Sequence, residues 1–224
     1  MIQPISRFPN LFKFQKGRYT SYLIKTSSDK SFFDERIFRF SEGLFREVDP
    51  NRSKLFAAIA KGISQLGLKK GISVLYLGAS HGYTVSFLSD MIPDGRIYAL
   101  DFAPRVMRDM VFIAELKKNI APIFADAFNT DSFKEFVPEK VDVVFMDIAQ
   151  RNQVDIFLKN CKIFLKDHGF GILALKARSV DVTRKPKEVF KDVRREIEKV
   201  YPVVDYKELH PFEKDHALFV IKKK

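Results

Sequence analysis

The sequence predicts an α/β fold: a doubly wound sheet of seven strands that closes on an antiparallel hairpin, with a small β-rich domain in front. Three observations predict it. From residue 72 onward, apolar strand-like runs alternate with helical stretches, which means a parallel sheet covered on both faces. The last two strand-like runs leave no room for a helix between them, so they must pair antiparallel. The first 48 residues instead carry short aromatic and β-branched runs broken by turn residues, the pattern of a small antiparallel sheet. The domains are therefore drawn at 1–48 and 49–224.

In the N-terminal domain the expected strands are 18–26, 36–40 and 44–48, bounded by Gly17, Ser27-Ser28-Asp29 and Ser41-Glu42-Gly43. Asp49-Pro50 then sets a capping residue before a proline at the first helical position, a helix start. Leu55, Ile59, Ile63 and Leu66 recur at three- and four-residue spacing, predicting about four turns of amphipathic helix that end at Gly67. Strands are expected at 73–77, 96–100, 120–124, 141–146 and 170–175. Helices are expected at 83–91, 104–117, 132–136, 152–165 and 186–200. The closing hairpin is 203–209 with 216–221, turning at His210-Pro211.

Of the 224 residues, 46% are hydrophobic and 30% charged, enough apolar material for a packed core. A disordered tail protein is excluded. No apolar run approaches the ~18 residues of a spanning helix, and the N-terminus lacks the apolar segment of a secretory signal. The single cysteine, Cys161, cannot form an internal disulfide, and metal-ligand spacing is missing. No metal is expected, and a cytoplasmic location is. Lys and Arg total 39 against 28 Asp and Glu, a formal charge of +11. Such an excess favours polyanions, nucleic acid first among them. A surface tuned for solubility explains it equally well.

Ligands of open α/β sheets bind outside the carboxyl ends of the strands, so those ends are the candidate site. After the first comes Leu77-Gly78-Ala79-Ser80-His81-Gly82. Its glycines allow a tight turn and close approach to a ligand, but it is not the G-x-G-x-x-G of a dinucleotide enzyme. Asp101 ends the second strand, placed to accept from ribose hydroxyls or to cap the following helix. Asp126 follows the third, placed to accept from an adenine amino group or to form an Asx turn. Together these describe a nucleoside pocket without a phosphate grip, which suits S-adenosylmethionine better than NAD. Asp147 and Lys176 end the fourth and fifth runs. On adjacent strands, ~4.8 Å apart, they could meet as a functional pair or as a structural ion pair.

Four segments carry a resemblance: Val74-Leu75-Tyr76-Leu77-Gly78-Ala79-Ser80, Tyr98 through Arg105, Val141 through Gln150 (ending Asp-Ile-Ala-Gln), and Pro211-Phe212-Glu213-Lys214-Asp215-His216. They resemble fibrillarin, the methyltransferase of box C/D ribonucleoproteins, in its shorter archaeal form. The likeness runs from about residue 48 to the C-terminus. It implies a Rossmann-like S-adenosylmethionine-dependent methyltransferase fold and ribose 2′-O-methylation of rRNA and tRNA directed by a guide RNA. It places the cofactor S-adenosyl-L-methionine against Gly78, Tyr83, Thr84, Asp101, Phe102, Asp126, Ala127, Asp147, Ile148, Ala149 and Gln150. It implies a catalytic tetrad of Lys54, Asp147, Lys176 and His216. Lys54 and His216 come from the resemblance alone; by pattern one is an ordinary polar helix position and the other an ordinary strand residue. A ribose hydroxyl attacks well only once its proton leaves, and a lysine takes that proton only when neutral. Burial and a neighbouring cation favour the neutral form, so Lys176 is the expected base. Three departures from the family stand out: Tyr83 in place of a threonine, Asp101 in place of glutamate, and Arg151 in place of proline.

Arg151, Arg178, Arg184 and Lys185 lie near the expected pocket mouth or follow Lys176, and are candidates for phosphate contacts that position RNA without reading its sequence. The later basic residues of 186–200 read better as a solvated helix face. No RNA-recognition module is present. The resemblance therefore implies that box C/D guide RNA selects the target RNA, with a Nop5-type scaffold protein and the kink-turn protein L7Ae, and no membrane. Two other functions compete: a methyltransferase of this fold acting on a protein or small molecule, and a non-catalytic ribonucleoprotein component.

Overall fold

The computed structural model describes residues 1–224. An N-terminal antiparallel sheet holds β1 (Ile2–Pro4), β2 (Leu11–Lys16), β3 (Tyr19–Thr26), β4 (Ile37–Phe40) and β5 (Gly43–Val48), in the order β1-β2-β3-β5-β4. Two of these strands were not expected. β2 forms a hairpin with β3 across Gly17, whose φ of +61° suits glycine. β1 is a three-residue edge strand defined only by its pairing, Ile2 opposite Phe14.

The helix after Asp49-Pro50 is shorter than its apolar spacing predicts. Asp49 caps a single 3₁₀ turn, Pro50–Arg52, and Ser53 caps α1 (Lys54–Ala60) by accepting the Phe56 N–H. α1 stops after two turns because Gly62 takes φ +80°. The Ile63 N–H then bonds the Ala58 carbonyl at 3.0 Å and the Gly62 N–H the Ile59 carbonyl at 2.9 Å, the hydrogen-bond pattern of a Schellman end. Ile63 and Leu66 are buried as the pattern required, but from irregular chain.

The second sheet contains β6 (Ser73–Leu77), β7 (Arg96–Asp101), β8 (Ile120–Phe124), β9 (Val141–Met146), β10 (Leu165–Lys176), β11 (Val203–Glu208) and β12 (His216–Lys222). Its order is β11-β12-β10-β9-β6-β7-β8, with β12 antiparallel to both neighbours. The helices are α2 (Tyr83–Met91), α3 (Pro104–Leu116), α4 (Gln153–Phe164), the short α5 (Ala177–Val180) and α6 (Pro186–Glu198). The helix expected at 132–136 is instead two 3₁₀ turns, Thr130–Ser132 and Lys134–Phe136. β10 begins five residues earlier than expected, where Leu165 pairs with Val141 before a register shift.

Two apolar layers cover the sheet. Val74, Tyr76 and Phe145 face one, and Leu75, Leu77 and Met146 the other, as alternation along each strand requires. Leu11, Ile24 and Val48 of the N-terminal sheet, with Phe8 from the turn between β1 and β2, join the first layer with α1 and α2, so the two sheets share a core. No helix is long and apolar enough to cross a membrane. β6 lies between β7 and β9, so the chain winds outward from it in both directions. That is the topological switch point where such sheets bind ligands.

Candidate active site

The loop after β6 is built to let another backbone close. Gly78 has φ +81°, and a Cβ there would sit 2.6 Å from the Asp147 carbonyl oxygen. The Gly78 and Ala79 N–H groups both donate to the Leu100 carbonyl, and the Asp147 N–H to that of Leu77. Asp101 completes the brace: one carboxylate oxygen accepts from the Ser80 N–H at 2.8 Å, the other from the Ala103 N–H at 3.0 Å. It does not cap α3, whose N-cap is Ala103. Asp126 accepts the Phe128 N–H at 2.9 Å, an Asx turn.

Two cavities open above this loop. The smaller, about 240 Å³, is lined by Gly78, Ser80, Leu100, Asp101, Phe102, Asp126, Ala127 and the run Asp147 to Gln150. Nine of the eleven residues proposed to bind cofactor thus face one space. The other two, Tyr83 and Thr84, line a larger cavity of about 640 Å³ that shares Gly78, Ser80 and Asp147 with the first. Replacing Gly78 with alanine forces a strained φ and a clash with backbone. Left-handed strain alone costs ~1–3 kcal/mol, and the expected result is a cofactor dissociation constant raised about tenfold or more, read by calorimetry.

Tyr83 and Thr84 also tie α2 to the chain ahead of α1. The Tyr83 ring lies 5.2 Å from Phe33 and 5.0 Å from Phe87, under the Arg52 guanidinium at 4.4 Å. Its hydroxyl accepts the Asp49 N–H, and the Thr84 hydroxyl bonds that of Ser53 at 2.9 Å. Tyr83, expected to depart from the family pattern, is a packing anchor. Phe32, Phe33, Arg52, Phe112 and the His81–Asp109 pair also line the larger cavity. Apart from His81, which belongs to the glycine loop, none was legible beforehand, because they come from distant segments with no local motif.

Of the four positions expected to form a tetrad, the closest contact joins Lys54 and Asp147, with Nζ 3.0 Å from the carboxylate. The expected Asp147–Lys176 pair is not formed. Met146 lies opposite Leu173, so Lys176 ends β10 two residues, roughly 7 Å, beyond the level of Asp147. Lys54 instead enters from the first residue of α1. Burial pushes its ammonium pKa down, but the charge and hydrogen bond of Asp147, with help from Glu213, outweigh burial and raise it. Lys54 therefore holds its proton.

Lys176 and His216 are direct cross-strand partners, so both side chains stand on one face. Burial, assisted by Lys54, lowers the His216 pKa, against the opposing effects of its bond to Lys214 and of Glu213 and Asp147. The imidazole is neutral near pH 7. Its Nδ1 lies 2.7 Å from the Lys214 carbonyl, so Nδ1 carries the proton and Nε2 keeps a lone pair. Gln153, fully buried, fixes the strand end beside it. Its Oε1 accepts the Lys176 N–H, while its Nε2 donates to the Gln150 carbonyl at 2.9 Å. Gln153 is a supporting residue that sequence reading missed, since a glutamine in a helix carries no signal.

The basic candidates divide. Arg151 and Lys185 are exposed and free of ion pairs. Arg178 is engaged by Asp215 at 3.2 Å and the Val182 carbonyl, and Arg184 by Asp192 at 2.6 Å. These exposed pairs are weak and can exchange partners with a phosphate.

The chain matches the Fibrillarin family model over residues 2–224. It is 45% identical over 192 residues to the fibrillarin-like rRNA/tRNA 2′-O-methyltransferase of Thermococcus gammatolerans, covering 85% of this chain and 84% of that protein. Among solved structures, a Methanococcus jannaschii fibrillarin pre-rRNA processing protein superposes with TM-score 0.94 and 40% identity, covering 100% of this chain and 97% of that one. Aeropyrum pernix fibrillarin, solved with natively bound S-adenosyl-L-methionine, gives 0.89 at 36% identity, covering 99% and 97%. A fibrillarin in complex with Nop5p gives 0.87 at 35% identity, covering 96% and 98%.

Proposed function

The chain belongs to the fibrillarin family, and from that premise we propose that it transfers the methyl group of S-adenosylmethionine to ribose 2′-hydroxyls of rRNA and tRNA. The observation that carries this reading is the junction of the two cavities at Gly78 and Asp147, with the Lys54–Asp147 pair at the seam. The smaller cavity fits an adenosine: Asp101 and Asp126 offer acceptors at neighbouring strand ends, and Ile148 and Phe102 offer apolar surface. The missing Cβ of Gly78 leaves room where a side chain would fill the cradle. Bound there, the cofactor supplies an electrophilic methyl carbon on its sulfonium.

The protein's task is then to hold the hydroxyl in line and remove its proton. Asp147 and Lys54 fix the geometry at the seam, and Lys54 places a fixed positive charge beside the developing alkoxide. Lys176 accepts the proton. A second reading gives that step to His216, whose neutral ring keeps Nε2 free as an acceptor. Variants of Lys176 separate the two.

Target choice requires partners, because the exposed basic residues contact backbone and read no bases. A Nop5-type scaffold fits the precedent of the fibrillarin complex with Nop5p; box C/D guide RNA and L7Ae complete the assembly. The lone cysteine, buried and held as a thiol, suits a reducing cytoplasm.

Two measurements test the reading. Calorimetry on the isolated chain is expected to show binding of S-adenosylmethionine and none of NAD; the reverse result overturns the cofactor assignment. Methyl transfer from labelled cofactor to guide-paired RNA is expected to be weak with the chain alone and restored by scaffold, kink-turn protein and guide. Robust site-specific transfer by the isolated chain would place specificity elsewhere, and transfer to free small molecules or proteins would favour the competing methyltransferase reading.

A further inference from the structure

Arg46, in β5, is fully buried. Its guanidinium reaches in two directions. Toward its own sheet it bonds Glu35 through Nε at 2.7 Å. Toward the second sheet it bonds Asp90 at 2.8 Å, the Ser86 carbonyl at 3.3 Å and the Ser86 hydroxyl at 3.1 Å, all on α2. It also stacks 4.0 Å from the centre of the Phe87 ring. Asp90 in turn receives Lys117 at 2.5 Å. The group is therefore two acids and two bases, closed on itself across the junction of the sheets.

Each end of this group leads to the larger cavity. Glu35 accepts the N–H groups of Phe32 and Phe33 and the hydroxyl of Ser31, which shapes the loop that puts both phenylalanines in the cavity wall. Burial pushes the Glu35 carboxyl up, but Arg46 and these hydrogen bonds bring it down to about 2, so the acceptor stays charged. On the other side, the Ser86 hydroxyl donates to the Tyr83 carbonyl, and Tyr83 and Thr84 form the facing wall. Phe33 and Tyr83 meet at 5.2 Å.

A buried charge network of this kind is weak support for stability, since well-packed apolar residues often replace one at no loss. What an apolar core cannot supply is the fixed orientation that five guanidinium donors impose. We propose that Arg46 is a positioning residue for the larger cavity, the one that holds Tyr83 and Thr84 of the cofactor set: it sets the Phe32–Phe33 loop against the first turn of α2, making the N-terminal domain a working wall of the site. The proposal rests on the cofactor reading given above.

The test is S-adenosylmethionine titration of the full chain as wild type, Arg46→Lys, Phe33→Ala and the double variant, each well below its melting temperature. Lysine keeps the charge but not the fork. Arg46→Lys and Phe33→Ala are each expected to raise the dissociation constant about tenfold, and the double variant to be little worse than either, because residues sharing one network are non-additive. A folded Arg46→Lys that binds within twofold of wild type, merely melting earlier, overturns the proposal, as do additive effects in the double variant. If Arg46→Lys does not fold, Glu35→Gln takes its place in the same cycle with the same expectations. A wild-type chain that binds no cofactor overturns the cofactor reading itself, and this inference falls with it.

Discussion

Replacing Lys176 with alanine is expected to lower the single-turnover methylation rate in the assembled complex by about 10²–10⁴-fold, the usual contribution of a positioned base. Cofactor binding should stay near normal, because Lys176 lines neither cavity around the glycine loop. Lys176→Arg should not rescue the rate, since a guanidinium stays protonated. The pH profile then separates lysine from histidine. The His216 pKa lies below its ordinary 6.5, so His216 is already neutral at pH 7. A rate limited by its ionisation is flat above that range and falls as the ring charges at lower pH. A lysine base makes the rate climb further on the alkaline side. Near wild-type turnover by Lys176→Arg, with a profile that is flat above pH 7, would transfer the base role to His216 and leave Lys176 as a positive anchor.

The strand ends were legible because parallel strands buried on both faces read as unbroken apolar runs. β6, β8 and β9 fall at the expected residues, and an aspartate ends β7 or stands within two residues of the end of β8 and β9, marking the crevice. Asp101, Asp126 and Asp147 could be named for that reason, and they line one space. What could not be read is everything that depends on depth rather than sequence. Leu55 to Leu66 kept a helical spacing through a glycine-terminated end, because irregular chain can also bury an apolar residue every three or four positions. The expected Asp147–Lys176 pair failed on register: adjacency of strands says nothing of how far each extends past the other. Lys54 carried no signal of its own on α1, yet its position as the first helical residue aims it at Asp147. Asp101 does not cap α3, as one of its two readings expected; it braces the loop with two backbone bonds while lining the cavity.

Asp147→Ala is expected to be the most damaging single change at the seam, and its damage has two separable parts. The first is electrostatic. The Lys54 side chain is only 22% exposed and its ammonium is held protonated chiefly by Asp147. Without that carboxylate, burial is opposed by Glu213 alone, and the stranded cation costs about 1–3 kcal/mol of stability. The second part is geometric. Asp147 belongs to both cavities, and its main chain is clamped to Leu77 and pressed on Gly78. Misplacement of reacting groups by about 1 Å can cost about 10²-fold in rate. Lys54→Met in the Asp147→Ala background removes the stranded charge and is expected to recover most of the lost melting temperature. It is not expected to recover the rate, because the seam still lacks its carboxylate and its cation. Thermal melts and single-turnover assays on the two single variants and the double one distinguish the parts. Stability that stays low in the double variant would show that Asp147 supports the fold through something other than Lys54. A rate that returns with the stability would show that the pair merely holds the structure and that Asp147 contributes nothing to aligning the hydroxyl.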